Sequence, residues 1–264
     1  MSLLIKVEKA VDLLKTKCLM KFKQRIYSGK KYNIKYLFEE KKGSKDLLIG
    51  FTACTKVGQK ARYNYIKTLE EFKCNKLFIL DDFGFDERGA YYLGKDRDFA
   101  IEKDVESLIN DICKKIEPKK EFYIGSSKGG YAALYFGVRR KDTYIVVGAP
   151  QYNLGNYLNL PGHTEILKYI MGNCNQESIS ILNELLKEAL IKNKENKNKI
   201  FLHYSDKEET FESDLKPLID ELINLNYESE FDLEHYESHA ELTKYYPQYI
   251  KKILSKNLSR WKCD

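Results

Sequence analysis

Residues Ile124-Gly125-Ser126-Ser127-Lys128-Gly129-Gly130 join an apolar run, Phe122-Tyr123-Ile124, to a small-residue helical segment that begins Tyr131-Ala132-Ala133. Read as Gly-x-Ser-x-Gly, they place Ser127 at the tip of a strand-to-helix turn too tight for side chains two positions to either side, hence Gly125 and Gly129. Ser126 fails the same test, because its flanks at those offsets are Ile124 and Lys128. Ser127 is therefore the candidate nucleophile. The turn also sets Ser127 over a helix N-terminus, whose free N–H groups and dipole favour a developing oxyanion. A phosphate-cradling loop exploits the same feature. It needs a longer separation between its glycines and then Lys followed by Ser or Thr, whereas here Lys128 lies inside the turn and Tyr131 follows Gly130.

The chain has 264 residues, enough for one domain with a moderate insertion. Its net charge of +6 arises from 45 basic and 39 acidic residues. The lysines are scattered among glutamates, a solvated surface rather than a nucleic-acid groove, and no nucleic-acid partner is expected. The six cysteines show no CxxC pair and no regular spacing. Neither a zinc site nor a disulfide framework is indicated, and reduced thiols fit a cytoplasmic location. The opening residues lack a long apolar core with a cleavage site, and no later segment offers eighteen apolar residues in a row. Secretion and a membrane span are not expected. Oligomeric state is not legible.

Apolar positions at helical spacing (Leu4, Val7, Val11, Leu14, Cys18) predict one or two amphipathic helices over about 3 to 27. Strand-like runs follow at Asn33–Phe38 and Leu47–Ala53. The pattern then alternates: a helix near Tyr63–Phe72, a strand at Lys76–Leu80, a helix at Phe99–Ile116, the Ser127 strand and helix, and a strand at Tyr144–Gly148. Such alternation builds a mostly parallel central sheet with helices on both faces and a ligand site at the carboxyl ends of the strands. After Ala149-Pro150 the rhythm breaks into loops and helices near Glu165–Met171 and Glu177–Ile191, read as a small helical cap. It resumes with a strand at Ile200–Tyr204, a helix at Glu212–Leu225, a strand at Ser229–Tyr236 and a helix at Glu241–Leu254. The expected organisation is one domain of α/β class. Residues 1–45 form an N-terminal helix and leading strand on the core, 46–150 and 198–264 the core, and 151–197 the cap insertion.

An activated serine needs a base, and the base needs a carboxylate to hold its tautomer. Of the four histidines, His203 and His235 fall in predicted strands and His163 in the cap. His239 lies between the last strand and the last helix, where the chain order Ser, acid, His places the base of an α/β-hydrolase. For the acid, the turn Ser205-Asp206-Lys207-Glu208-Glu209 offers three carboxylates. The spacing from a small turn residue selects Glu208, with Asp206 as the alternative acid. The oxyanion hole is expected from the backbone N–H of Lys128 and that of Thr52 or Ala53. Asp82-Phe83-Gly84 matches a kinase triplet without the other kinase motifs, and His235 and His239, four apart, lack the zinc-helix pattern. No metal and no cofactor are assigned.

Three segments sharpen the reading: Arg62-Tyr63-Asn64-Tyr65, then Asp81-Asp82-Phe83-Gly84 with Gly89-Ala90-Tyr91-Tyr92, then Gly125 to Gly130. They resemble two related groups of α/β-hydrolase type: the acyltransferase component of the accessory secretion system that modifies serine-rich adhesins, and proteins of capsular polysaccharide biosynthesis. The likeness spans roughly 46 to 255. It implies a Ser-Glu-His triad, favouring Glu208, and O-acetylation of sugars. The large additional domains of the secretion component have no counterpart in this chain. The expectation is a serine esterase or O-acyltransferase with a small acyl-ester donor and a glycan acceptor. Tyr63, Tyr65, Asp82, Tyr91 and Tyr92, on loops that follow strands, are candidates to line the substrate site. The competing expectation is a non-catalytic hydrolase-fold partner in polysaccharide or glycoprotein assembly.

Overall fold

The computed structural model describes residues 23–259. Eight strands form one sheet: β1 (Arg25–Ser28), β2 (Asn33–Glu39), β3 (Asp46–Phe51), β4 (Asn75–Ile79), β5 (Lys120–Ser126), β6 (Tyr144–Gly148), β7 (Lys199–Ser205) and β8 (Glu228–Glu234). Their order is β1-β2-β4-β3-β5-β6-β7-β8. β1 pairs antiparallel with β2 and β2 with β4, and every other pairing is parallel. The central strands are short apolar runs because both of their faces are covered. Period-2 alternation sorts their side chains into two layers. Leu47, Ile49, Leu77, Ile79, Tyr123, Ile145, Val147, Ile200 and Leu202 face one core, while Leu48, Phe78, Phe122, Ile124, Val146 and Phe201 face the other.

Helices α2 (Ala100–Ile116) and α3 (Lys128–Gly137) cover the first face, and α8 (Leu242–Asn257) with the short α1 (Ile66–Leu69) covers the second. Between β6 and β7 lie α4 (Leu154–Leu158), α5 (Thr164–Met171) and α6 (Gln176–Asn193), and between β7 and β8 lies α7 (Lys216–Asn224). α6 joins the first core through fully buried Leu182, Leu186 and Leu190. It therefore acts as a sheet-covering crossover, and α4, five residues of Asn- and Gly-containing sequence, is a helix where loop was expected.

The helix expected over 3 to 27 lies almost wholly outside the described residues. Its last part is a strand: Arg25–Ser28 pairs with Ser28 opposite Asn33 at the turn. The turn is held by one carboxylate, since Asp104 of α2 accepts from the N–H groups of Lys30 (2.7 Å), Lys31 (3.1 Å) and Tyr32 (2.8 Å). The helix expected at Tyr63–Phe72 contracts to one turn, because Tyr65 takes a left-handed backbone, φ 62°. Its side chain is thereby turned toward the Ser127 strand.

Candidate active site

Ser127 follows β5 and caps α3 with φ 51° and ψ −124°, a backbone strain of roughly 1–3 kcal/mol that the surroundings must hold. They do so from three sides. Its N–H donates to the Gly148 carbonyl of β6 (2.9 Å), and its carbonyl accepts from Tyr131 N–H (2.9 Å). A Cβ on Gly125 would overlap the Gly129 carbonyl, and one on Gly129 would lie 2.7 Å from the Phe51 carbonyl of β3. From beneath, the buried Tyr246 hydroxyl of α8 reaches the carbonyls of Gly125 (2.8 Å) and Val146 (2.6 Å). Ser126 points the other way and shares a short hydrogen bond with the Tyr65 hydroxyl.

His239 opens a short 3-10 turn between β8 and α8. Its Nδ1 lies 3.3 Å from Oε1 of Glu208, and its backbone N–H donates to Oε2 of Glu209 (2.9 Å). That N–H bond holds the Glu209 carboxyl below its usual range. Glu208 is buried, accepts from Thr210 Oγ1 (2.7 Å), and its Oε2 has no partner among the described residues. Asp206 instead meets Nδ1 of His235 (2.8 Å) at the surface. Of the three carboxylates of the turn, Asp206 meets His235, Glu209 takes the backbone N–H of His239, and Glu208 meets the His239 ring. His203 is buried in a different place, with Nδ1 2.8 Å from Asp232 and its ring among Tyr236, Tyr246 and Tyr249.

The Ser127 Oγ is held by a residue that sequence reasoning passed over. Gln151, fully buried just beyond β6, donates from Nε2 to Ser127 Oγ (3.2 Å), and its Oε1 accepts from the Tyr91 hydroxyl (3.3 Å). This contact, rather than one from His239, engages Oγ in the structure. The segment after Gln151 is fixed by Asp214, which accepts from the N–H groups of Tyr152 (2.7 Å) and Asn153 (2.9 Å). Gly130 lets this turn approach, since a Cβ there would lie 3.1 Å from Pro150 Cβ. Only the Gln next to a strand-end Pro hinted at this in the sequence, and its approach to Ser127 is a tertiary fact.

On the other flank of Ser127, Lys128 is the first residue of α3, and its N–H has no preceding helical carbonyl to bond. Its side chain is wholly buried and pairs with Asp81 (2.8 Å) while donating to the Arg88 carbonyl (3.1 Å). Asp81 also accepts from the N–H groups of Ala90 (2.9 Å) and Tyr92 (3.2 Å), so one ion pair organises the whole loop after β4. Gly89, φ 117°, has no room for a Cβ beside the Lys128 ammonium.

Thr52, one of the two residues expected beside Lys128, already has a partner for its amide. Its N–H donates to the Tyr92 hydroxyl (2.6 Å), which itself donates to the Ile79 carbonyl (2.9 Å), all in a buried environment. Ala53 N–H donates to Asn64 Oδ1 (3.0 Å), a half-buried side chain at the surface end of the same loop system. The tyrosines expected to line the site each have a side-chain partner. Tyr63 bonds Gln24 (3.1 Å), Tyr65 bonds Ser126, and Tyr92 braces Thr52. Tyr91 reaches Ser127 only through Gln151, and Asp82 pairs with Lys35 (2.5 Å). Tyr157 of α4 is a further tyrosine of this region. Burial, with Cys54, Asp214 and Glu208 adding negative charge, pushes its phenol up to about 12. The His163 ring lies against it, centroids 4.7 Å apart, and burial followed by the Arg88 charge holds that imidazole low.

Strand order β1-β2-β4-β3-β5-β6-β7-β8 with only β2 running antiparallel to the rest, a serine at the turn after β5, a carboxylate after β7 and a histidine after β8 together define the α/β-hydrolase fold. Solved structures of that fold superpose on the chain. The capsule O-acetyltransferase of Neisseria meningitidis serogroup A matches with a TM-score of 0.73 at 22% identity, covering 88% of this chain and 93% of that one. A chain of the glycosylation-associated protein (Gap123) complex of Streptococcus agalactiae matches with a TM-score of 0.72 at 17% identity, covering 91% of this chain and 47% of that one. The fluorophosphonate-binding serine hydrolase FphF of Staphylococcus aureus matches with a TM-score of 0.62 at 14% identity, covering 88% and 96%. No protein-family model and no curated protein matches the chain. Among the described residues no helix is long and apolar enough to cross a membrane.

Proposed function

We propose that the chain is a serine-dependent acyl-ester hydrolase or O-acyltransferase that works through an acyl-enzyme on Ser127. The observation that carries this reading is the buried Glu208 carboxylate on Nδ1 of His239, in a fold whose turn after β5 presents Ser127. Glu208 fixes the tautomer that leaves Nε2 of His239 as a base, and stabilises the imidazolium that forms. Ser127 attacks the ester carbonyl and passes its proton to His239, which returns it to the departing alcohol. Lys128 N–H receives the oxyanion, and Ala53 N–H joins it when substrate displaces Asn64. Each such donor contributes roughly 3 kcal/mol to the transition state. A water or sugar hydroxyl then deacylates Ser127. The glycan acceptor is supported by the meningococcal capsule O-acetyltransferase as a structural neighbour, and a further structure of that enzyme in complex with CoA makes a thioester donor the one to test alongside esters.

Ser127→Ala, His239→Ala and Glu208→Gln are expected to reduce turnover of p-nitrophenyl acetate by at least about a hundredfold, with Asp206→Asn near wild type. Equal loss in Asp206→Asn and Glu208→Gln would reject the acid assignment. A second reading is a non-catalytic partner in glycan assembly. It is favoured by Ser127 Oγ bonding Gln151 instead of His239 and by the similarity to the Gap123 complex. Wild-type protein no more active than Ser127→Ala would select it.

A further inference from the structure

Sheet order separates the two sides of Ser127. β3, whose following loop carries Ala53, flanks β5 on one side; β6, β7 and β8 lie on the other, and Gln151, Glu208 and His239 follow them. An oxyanion belongs to the first side. Any hydroxyl that deacylates Ser127 must approach from the second, where the base can take its proton. Gln151 is the uncharged polar side chain on that side that already touches the reacting atom. Its carboxamide nitrogen carries two hydrogens, of which one is on Ser127 Oγ and the other has no acceptor among the described residues. Burying such an amide without use costs free energy, and the chain goes to some length to aim it. Ala149 takes φ 39° at the end of β6, Tyr91 (φ 54°) holds Oε1, and Asp214 clamps the next two amides.

Resting on the acyl-enzyme reading above, we propose that Gln151 positions the hydroxyl that deacylates Ser127. Before acylation its Nε2–H occupies Ser127 Oγ. Once Oγ is an ester oxygen it is a poor acceptor, so the amide turns to the oxygen of the incoming water or sugar hydroxyl. That hydroxyl then gives its proton to His239, its oxygen bonds the acyl carbon, and the carbon–Oγ bond breaks. Ser127 recovers the proton from His239, and Gln151 returns to Oγ without exchanging a proton at any stage. The residue thus governs how well an acceptor competes with bulk water at the acyl-enzyme.

The test separates the two half-reactions. With p-nitrophenyl acetate the leaving phenolate needs no hydrogen-bond help, so acylation depends little on this contact, whereas deacylation depends on it. Rapid-mixing kinetics with and without glycerol as added acceptor are compared for wild type, Gln151→Leu and Tyr91→Phe, the last keeping the amide but removing its anchor. The expected result is a deacylation rate lowered about tenfold more than acylation in Gln151→Leu. Acetyl-Ser127 then accumulates by mass spectrometry, and glycerol no longer accelerates turnover. Tyr91→Phe shifts the same ratio by a smaller amount. Parallel loss of both steps, or loss of acylation alone, overturns the proposal and leaves the triad standing. Wild-type turnover no faster than that of Ser127→Ala, with no acetyl-enzyme in any variant, overturns the triad reading and the proposal with it.

Discussion

Two glycines flank Ser127 for different reasons: Gly125 avoids its own turn's Gly129 carbonyl, and Gly129 avoids the Phe51 carbonyl of the neighbouring strand. The first reason is local and was legible from spacing. The second was not, although it demands the same residue. Lys128 shows the limit more sharply, because only its backbone was assigned a role, while its side chain anchors the loop after β4 through Asp81. Nothing in sequence pairs positions 47 apart. Lys128→Met strands a buried carboxylate, and a loss of about 3–5 kcal/mol in urea unfolding is expected. The double variant Asp81→Asn, Lys128→Met is expected to lose clearly less than the sum of the single variants. Additive losses would mean that the pair does not organise the loop. Thr52 and Gln151 make the same point, since what holds the Thr52 amide and what anchors the carboxamide on Ser127 are Tyr92 and Tyr91, both held at positive φ.

The elements with strong periodicity were legible almost to the residue. Tyr144–Gly148 matches its expected span, and α2 begins one residue after the expected Phe99. Strand β1 was not, because Ile26 is exposed and its pairing depends on the Asp104 carboxylate of α2. The turn into α2 carries a second such carboxylate. Burial would raise the Asp98 carboxyl, but Lys31, the N–H groups of Ala100 and Lys95, and the Tyr32 hydroxyl outweigh it and lower it to about 2. A depressed folded-state pKa stabilises the protein above the unfolded carboxyl range, near about 4, and this stabilisation is lost as pH falls through the folded value. The stability advantage of wild type over Asp98→Asn, read by urea unfolding, is therefore expected to be present at pH 5 and to shrink toward pH 2. An advantage that grew on acidification would contradict the assignment.

At the scale of the molecule, alternation of strands and helices predicted the parallel sheet, because each central strand is covered on both faces and each crossover needs a helix. The chain order of Ser127, Glu208 and His239 then follows from which strand ends the sheet brings together, and the structure sets Glu208 on His239 from segments 31 positions apart. The remaining link, from Ser127 to His239, is chemical. Incubating the folded protein with a fluorophosphonate probe and mapping the adduct by mass spectrometry tests it most directly. Stoichiometric modification at Ser127, abolished in His239→Ala and slowed in Glu208→Gln, is the predicted result. No adduct on folded wild-type protein, or modification at a site other than Ser127, would contradict an activated serine at this turn.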